Sequence, residues 1–120
     1  MTDPLSTQVF QILLSLIDGE AHGYAIIQDI RRRTGGEVSL TASTLYAAVK
    51  RLLASGLVEE ITERVRTPGD DSRRRYYRIT RLGRVAARRE AERLERLTAM
   101  ARERRLLPPL GGADPARSQR

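Results

Sequence analysis

The 120-residue chain is 31% charged and 40% hydrophobic, holds no Cys and no Trp, and carries a formal net charge of +7. That length accommodates one core, with at most a protruding helix, and leaves no room for a second catalytic domain. The missing cysteines exclude a disulfide framework and a thiolate metal site, and no apolar run approaches the length of a membrane span.

The N-terminus lacks the basic region and small-residue cleavage site of a signal peptide, so a soluble, cytoplasmic protein is expected. Charge is polarised along the chain: residues 1–70 are net −2 and residues 71–120 net +9. An anionic partner for the second half follows, nucleic acid ahead of a membrane surface, because no strongly apolar face accompanies the cations. Arginine supplies 21 of the 22 cations. With Phe10 the only Phe, the core must be aliphatic, and a domain of this kind is often completed by a partner subunit.

Asp3 or Ser6 opens a first helix of roughly 12 to 15 residues in which Val9, Ile12, Leu13, Leu16 and Ile17 keep helical spacing, and Gly19 closes it. Its faces are more apolar than one small core needs, so Phe10 and Leu13 are expected to meet another subunit. His22, Gly23 and Tyr24 start a second helix through about Thr34, with Ala25, Ile26, Ile27 and Ile30 inward. His22, the one imidazole, suits a turn or cap and not metal or pH sensing, since no ligand partners accompany it. Arg31, Arg32 and Arg33 oppose the negative end of that helix, and Gly35 and Gly36 break it.

The segment 41–57 is the one the rest is organised around. Thr41 caps it, Leu45, Val49, Leu52 and Leu53 form its core stripe, and Gly56 suits the position just past its last turn. Its outward face is small and polar: Ser43, Thr44, Ala47, Lys50 and Ala54. Such a helix fits a DNA major groove, where bulk blocks approach and Ser, Thr and Lys bond to bases and phosphates. Two helices joined through a short Gly-containing link make a helix-turn-helix, with the second as the reader.

Leu57, Val58, Ile61 and Val65, then Thr67, Pro68, Gly69, Asp70, Asp71 and Ser72, then Arg75, Tyr76, Tyr77, Arg78 and Ile79 predict a β-hairpin with a loose tip, in the position of a wing. Arg73, Arg74, Arg75 and Arg78 place cations where a helix-bound duplex would pass. Thr80 caps a fourth helix of about 25 residues or ~37 Å, from Leu82 to about Leu107, longer than so small a domain can cover. Its seam of Ala87, Ala91, Leu94, Leu97 or Thr98, and Ala101 is flanked by charges, as in a helix that pairs with a second helix. Pro108 and Pro109 stop it, and the remaining residues are expected to be a mobile, disordered tail.

These residues resemble the PadR family of transcriptional regulators over about residues 8 to 107. The resemblance is carried by HGY at 22–24, TLY at 44–46 followed by KRL at 50–52, SGLVE at 55–59 and RRYYRITRLG at 74–83. It implies a mainly α fold with a small β-hairpin: a winged helix-turn-helix over residues 1–80, a C-terminal dimerisation helix over 81–107 and a tail over 108–120. It implies a homodimer that binds double-stranded DNA at a palindrome-like operator, usually to repress. Where the family commonly has Pro after the Leu-Tyr pair and Gly two residues before its Leu, this chain has Ala47 and Ser43, and its wing sequence TPGDDSRR replaces a shorter Gly-Arg-Pro turn.

Carried onto this sequence, the DNA contacts are Ser43, Thr44, Tyr46 and Lys50 at the major groove, Tyr24 at a phosphate, and Arg73, Arg74 and Arg75 from the wing. The dimer contacts are Phe10, Leu13, Ala87, Ala91, Leu94, Leu97 and Ala101. The resemblance also leaves room for a small-molecule effector at the dimer interface, where this chain offers no Trp and few aromatics. The competing function is a winged-helix adaptor that docks an acidic protein without sequence-specific DNA binding. An enzyme is not expected: one His, no Cys, no phosphate-cradling Gly loop and no convergent acid-base pair leave no catalytic residues, cofactor site or metal site.

Overall fold

The computed structural model describes residues 4–61 and 74–111. Asp3, the expected hairpin tip at 67–72 with Arg73, and the tail from 112 onward lie outside the described residues. The elements in order are α1 (Thr7–Ser15), β1 (Ala21–His22), α2 (Gly23–Arg33), α3 (Ala42–Ala54), β2 (Val58–Ile61), β3 (Tyr76–Ile79) and α4 (Arg81–Glu103). Met1–Arg88 and Arg89–Arg120 form two compact units.

Each helix begins where a side chain accepts a backbone N–H that the helix cannot satisfy itself. Ser6 Oγ accepts from Val9 N–H at 3.1 Å, so Ser6 and not Asp3 is the cap of α1. His22 Nδ1 accepts from Ala25 N–H at 3.2 Å and Thr41 Oγ1 from Thr44 N–H at 3.2 Å. Thr80 Oγ1 accepts from Gly83 N–H at 3.0 Å while donating to Gly56 O at 2.6 Å, which ties the start of α4 to the end of α3.

The ends of α3 and α4 follow one pattern. Gly56 (φ +78°) turns left-handed after α3, and Leu57 N–H returns to Leu52 O at 3.0 Å. In the second unit, Arg105 (φ +65°) does the same job after α4, and Leu106 N–H reaches Ala101 O at 2.9 Å. The helix therefore closes before the expected Leu107. Pro108 forbids helical geometry at Leu107 and blocks the carbonyl of Arg104, so the closing turn is placed ahead of both.

Ile12, Leu13 and Leu16 of the first helical segment, Ile26 and Ile30 of α2, Leu45, Ala48, Val49 and Leu52 of α3, and Val58, Tyr77 and Ile79 of the sheet gather into one core. Ala48, absent from the expected stripe, is 2% exposed, while Leu53 is only half-buried. Leu13 and Ala87, expected at a subunit interface, are 0% and 4% exposed and belong to this same core. Leu13 lies on the face that α1 turns inward beside Ile12, and Ala87 lies one turn beyond Gly83, where α4 presses on its own domain; neither has surface left for a partner.

The sheet has three antiparallel strands in the order β1-β3-β2, where sequence patterning predicts only a two-stranded hairpin. In the added pair, Ala21 faces Tyr77 and His22 faces Tyr76. Two residues carry no alternation to read, so β1 is visible only through its partner.

Gly83 has no room for a side chain: a Cβ there would collide with the Leu57 carbonyl oxygen and sit 2.7 Å from Ile79 Cγ1. Overpacking against backbone costs about 1 to 3 kcal/mol, against a helix-propensity gain for Ala of about 1 kcal/mol. Gly83→Ala should therefore lower stability, by up to about 2 kcal/mol in urea denaturation, opposite to the propensity ranking.

A polar staple joins α1 to α2. Arg33 bonds Gln11 Oε1 at 2.6 Å and Ser15 Oγ at 2.7 Å, and Asp29 accepts from Arg33 Nε and from Ser15 Oγ, each at 2.8 Å. The bond from Arg33 is the main reason the Asp29 carboxyl is held below its ordinary value, against the opposing effect of its partial burial. A lowered folded-state value contributes stability above the ordinary carboxylate range that disappears as pH falls through the folded value. Asp29→Asn should thus destabilise the protein at pH 7 and reduce the loss of stability that wild type shows on titration to pH values below that range, measured by urea midpoints.

Candidate nucleic-acid interface

Burial of Leu45, Ala48, Val49 and Leu52 leaves the other side of α3 in solvent. Ser43, Thr44, Ala47, Lys50 and Ala54 are all exposed, as the helical spacing predicts. Thr44 is partly committed, because its hydroxyl accepts from Thr41 Oγ1 at 2.9 Å within the cap. Among the described residues no hydrogen bond or ion pair holds Lys50.

Beside this face, Tyr24, Tyr46, Arg74 and Arg75 line one open cleft together with His22, Gly23 and Tyr77. Three elements make it. The start of α2 supplies His22, Gly23 and Tyr24, α3 supplies Tyr46, and the approach to β3 supplies the arginines. Tyr24 and Tyr46 are 59% and 47% exposed, so part of each side chain is open to a ligand. Ser43, Thr44 and Lys50 do not line the cleft; they sit on the adjoining helix surface.

The cleft explains why HGY and TLY occur together. The Tyr46 hydroxyl lies against Gly23, where a Cβ would collide with it and stand 2.8 Å from Tyr46 Cζ and 3.1 Å from Leu45 Cδ2. Glycine at the first position of α2 thus lets α3 approach and lays the Tyr46 ring over the start of α2. His22 does three things at once. Its Nδ1 caps α2, its ring meets Tyr76 edge-on with centroids 5.3 Å apart, and its Nε2 lies 3.3 Å from Arg74 Nη1. Sequence reasoning assigned it the cap alone, because only the β1–β3 pairing brings Tyr76 and Arg74 to it.

The wing cations differ in availability. Arg78 is committed to Glu59 at 2.6 Å across the β2–β3 register, whereas Arg75 stands 4.0 Å from Glu60, a loose pair that water screens. Arg31 bonds Ser39 Oγ at 3.3 Å, and Arg32 and Arg33 are paired with Asp29, so these three serve the domain's own surface. Burial pushes the Tyr77 phenol above its ordinary value, which keeps it neutral beside the arginines.

In the second unit, Leu94 and Leu97 are 37% and 46% exposed, Ala91 is exposed and Ala101 half-buried. Met100, 57% exposed, extends this apolar strip, although the expected seam omitted it. Phe10, in the first unit, is half-buried and packs on the core. No helix among the described residues is long and apolar enough to cross a membrane.

Three helices, a small antiparallel sheet with a basic approach to its central strand, and a long following helix define a winged helix-turn-helix protein. The chain belongs to the PadR-like family of transcriptional regulators, whose model matches residues 12–89. An uncharacterised protein from Lysinibacillus sphaericus is 36% identical over 74 residues, 62% of this chain and 65% of that protein, so the chain spans just under two thirds of its length. A transcriptional regulator of known structure from Clostridium thermocellum is 30% identical, with a TM-score of 0.65 over 79% of this chain and 89% of that one. Bacillus subtilis PadR, solved in complex with operator DNA, has the same fold at 24% identity, with a TM-score of 0.58 over 74% of this chain and 47% of its own.

The Gly23–Tyr46 contact is separable from general packing. Gly23→Ala should cost about 1 kcal/mol in the wild-type background and nearly nothing in a Tyr46→Ala background, a coupling that a double-mutant cycle of urea denaturation measures directly.

Proposed function

We propose that this chain is a homodimeric DNA-binding repressor that acts in the cytoplasm on a palindrome-like operator, by occupancy and without catalysis. Residues 1–80 read DNA, and residues 81–107 bring two copies together. The observation that carries the reading is the outward side of α3, which is small, polar and unobstructed, next to a cleft that holds Tyr24, Tyr46, Arg74 and Arg75. Ser43 and Lys50 enter the major groove from this face, with Thr44 at its edge. Tyr24 and Tyr46 approach the backbone, and Arg74 and Arg75 follow the phosphates from the wing; Arg73, outside the described residues, is a further proposed contact.

Ala91, Leu94, Leu97 and Ala101 of α4 form one dimer contact, and Phe10 of the first unit is a separate dimer-contact residue. Exposed leucines at helical spacing on a charged helix support this, since an isolated helix of such quality frays in water. Two reading helices held about 34 Å apart enter successive major grooves on one side of the duplex. Likeness to a fold seen on operator DNA in the Bacillus subtilis protein supports the same docking here.

Cations that meet phosphates release counterions, so affinity should fall steeply with salt, on the order of 10³-fold between 50 and 200 mM for about six contacts. A mobility-shift titration on the region upstream of the chain's own coding sequence measures this; indifference to both salt and sequence overturns the reading. Lys50→Ala should weaken specific binding by about 1 to 3 kcal/mol where it meets a base, and shift the salt slope only slightly.

A further inference from the structure

Twenty-one of the chain's 22 cations are arginines, and the remaining one is Lys50. That residue stands on the outward side of α3, exposed and, among the described residues, without a hydrogen bond or ion pair. Guanidinium groups stay protonated and resist acyl transfer, whereas a lysine amine is the side chain that acetylation neutralises. Every other cation of the wing and of α4 is therefore inert to an activated acyl group, and the single susceptible side chain lies at the centre of the reading face. We propose that Lys50 is an acyl-acceptor site through which an acyl phosphate switches DNA binding off.

The chemistry is complete with that co-reactant. The neutral fraction of the Lys50 ε-amine attacks the carbonyl carbon of the acyl phosphate. A C–N bond forms, the C–O bond to phosphate breaks, phosphate leaves with that bond's electron pair, and the proton lost from nitrogen passes to water. The product is a neutral amide that has lost its charge, keeps one N–H donor and carries added bulk beside the small side chains of Ser43, Ala47 and Ala54. Since Lys50 is exposed, acylation leaves the core untouched. Bound DNA covers the amine, so only the unbound protein reacts and a vacated operator stays vacant.

The inference rests on α3 facing DNA, and the test separates the two. Full-length protein is treated with acetyl phosphate until about half of Lys50 is acetylated and mixed with the duplex recovered by in vitro selection, and bound and free fractions are compared by peptide mass spectrometry. Acetyl-Lys50 should be depleted about tenfold or more in the bound fraction, the loss expected when a base or phosphate contact of this kind is removed. Acetylation of the α-amino group should be equal in both fractions. Lys50→Arg, which keeps the charge, should bind equally before and after treatment. Equal acetyl-Lys50 in the two fractions, or failure of Lys50 to react, overturns the switch while the repressor reading stands. Untreated protein that selects no DNA overturns the repressor reading and the switch with it.

Discussion

Everything at the interface depends on which side of α3 is buried. Leu45, Ala48, Val49 and Leu52 enter the core with Ile12, Leu13, Ile26 and Ile30, and each large aliphatic side chain so buried contributes about 1.5 to 3 kcal/mol. Helix propensity distinguishes residues by tenths of a kcal/mol at most positions, so it cannot compete with that burial over the rotation of a 13-residue helix. Once those four are inside, the i, i+4, i+7 set of Ser43, Ala47 and Lys50 has nowhere to go but outward. The exposed face of α3 is the complement of the core.

Local geometry then sharpens what burial sets in outline. Gly23 and Gly83 are close approaches of different kinds: one accepts an aromatic ring from α3, the other accepts a backbone carbonyl from the loop after α3. Thr80, bonded to both Gly56 and Gly83, links the end of α3 to the start of α4 through one hydroxyl. The Asp29 and Arg33 staple holds α1 to α2 from the polar side while Ile12, Leu13, Ile26 and Ile30 hold them from the apolar side.

Most of this is written where the chain is periodic. Thr41, Leu45, Val49, Leu52 and Gly56 state a helix, its cap, its face and its end within sixteen residues, and the structure has each of them in place. The exposed set of Ser43, Thr44, Ala47, Lys50 and Ala54 follows from the same pattern. What the sequence hides is anything set by a distant partner. Ala48 reads as a neutral position until the core closes over it. Leu13 looks surplus to one small core because nothing local reveals that the core shared by α2, α3 and the sheet takes it in. The second and third roles of His22 depend on Tyr76 and Arg74, 54 and 52 positions away, and are recorded only in the pairing of β1 with β3.

The sheet itself has two short borders among the described residues, and they are defended differently. On one side β1 is a mere two residues before α2 begins, too brief to template another chain. On the other, β2 reads Val-Glu-Glu-Ile, which puts a carboxylate on each face of that edge, one of them engaged by Arg78. The two described borders thus discourage strand-to-strand pairing between crowded copies.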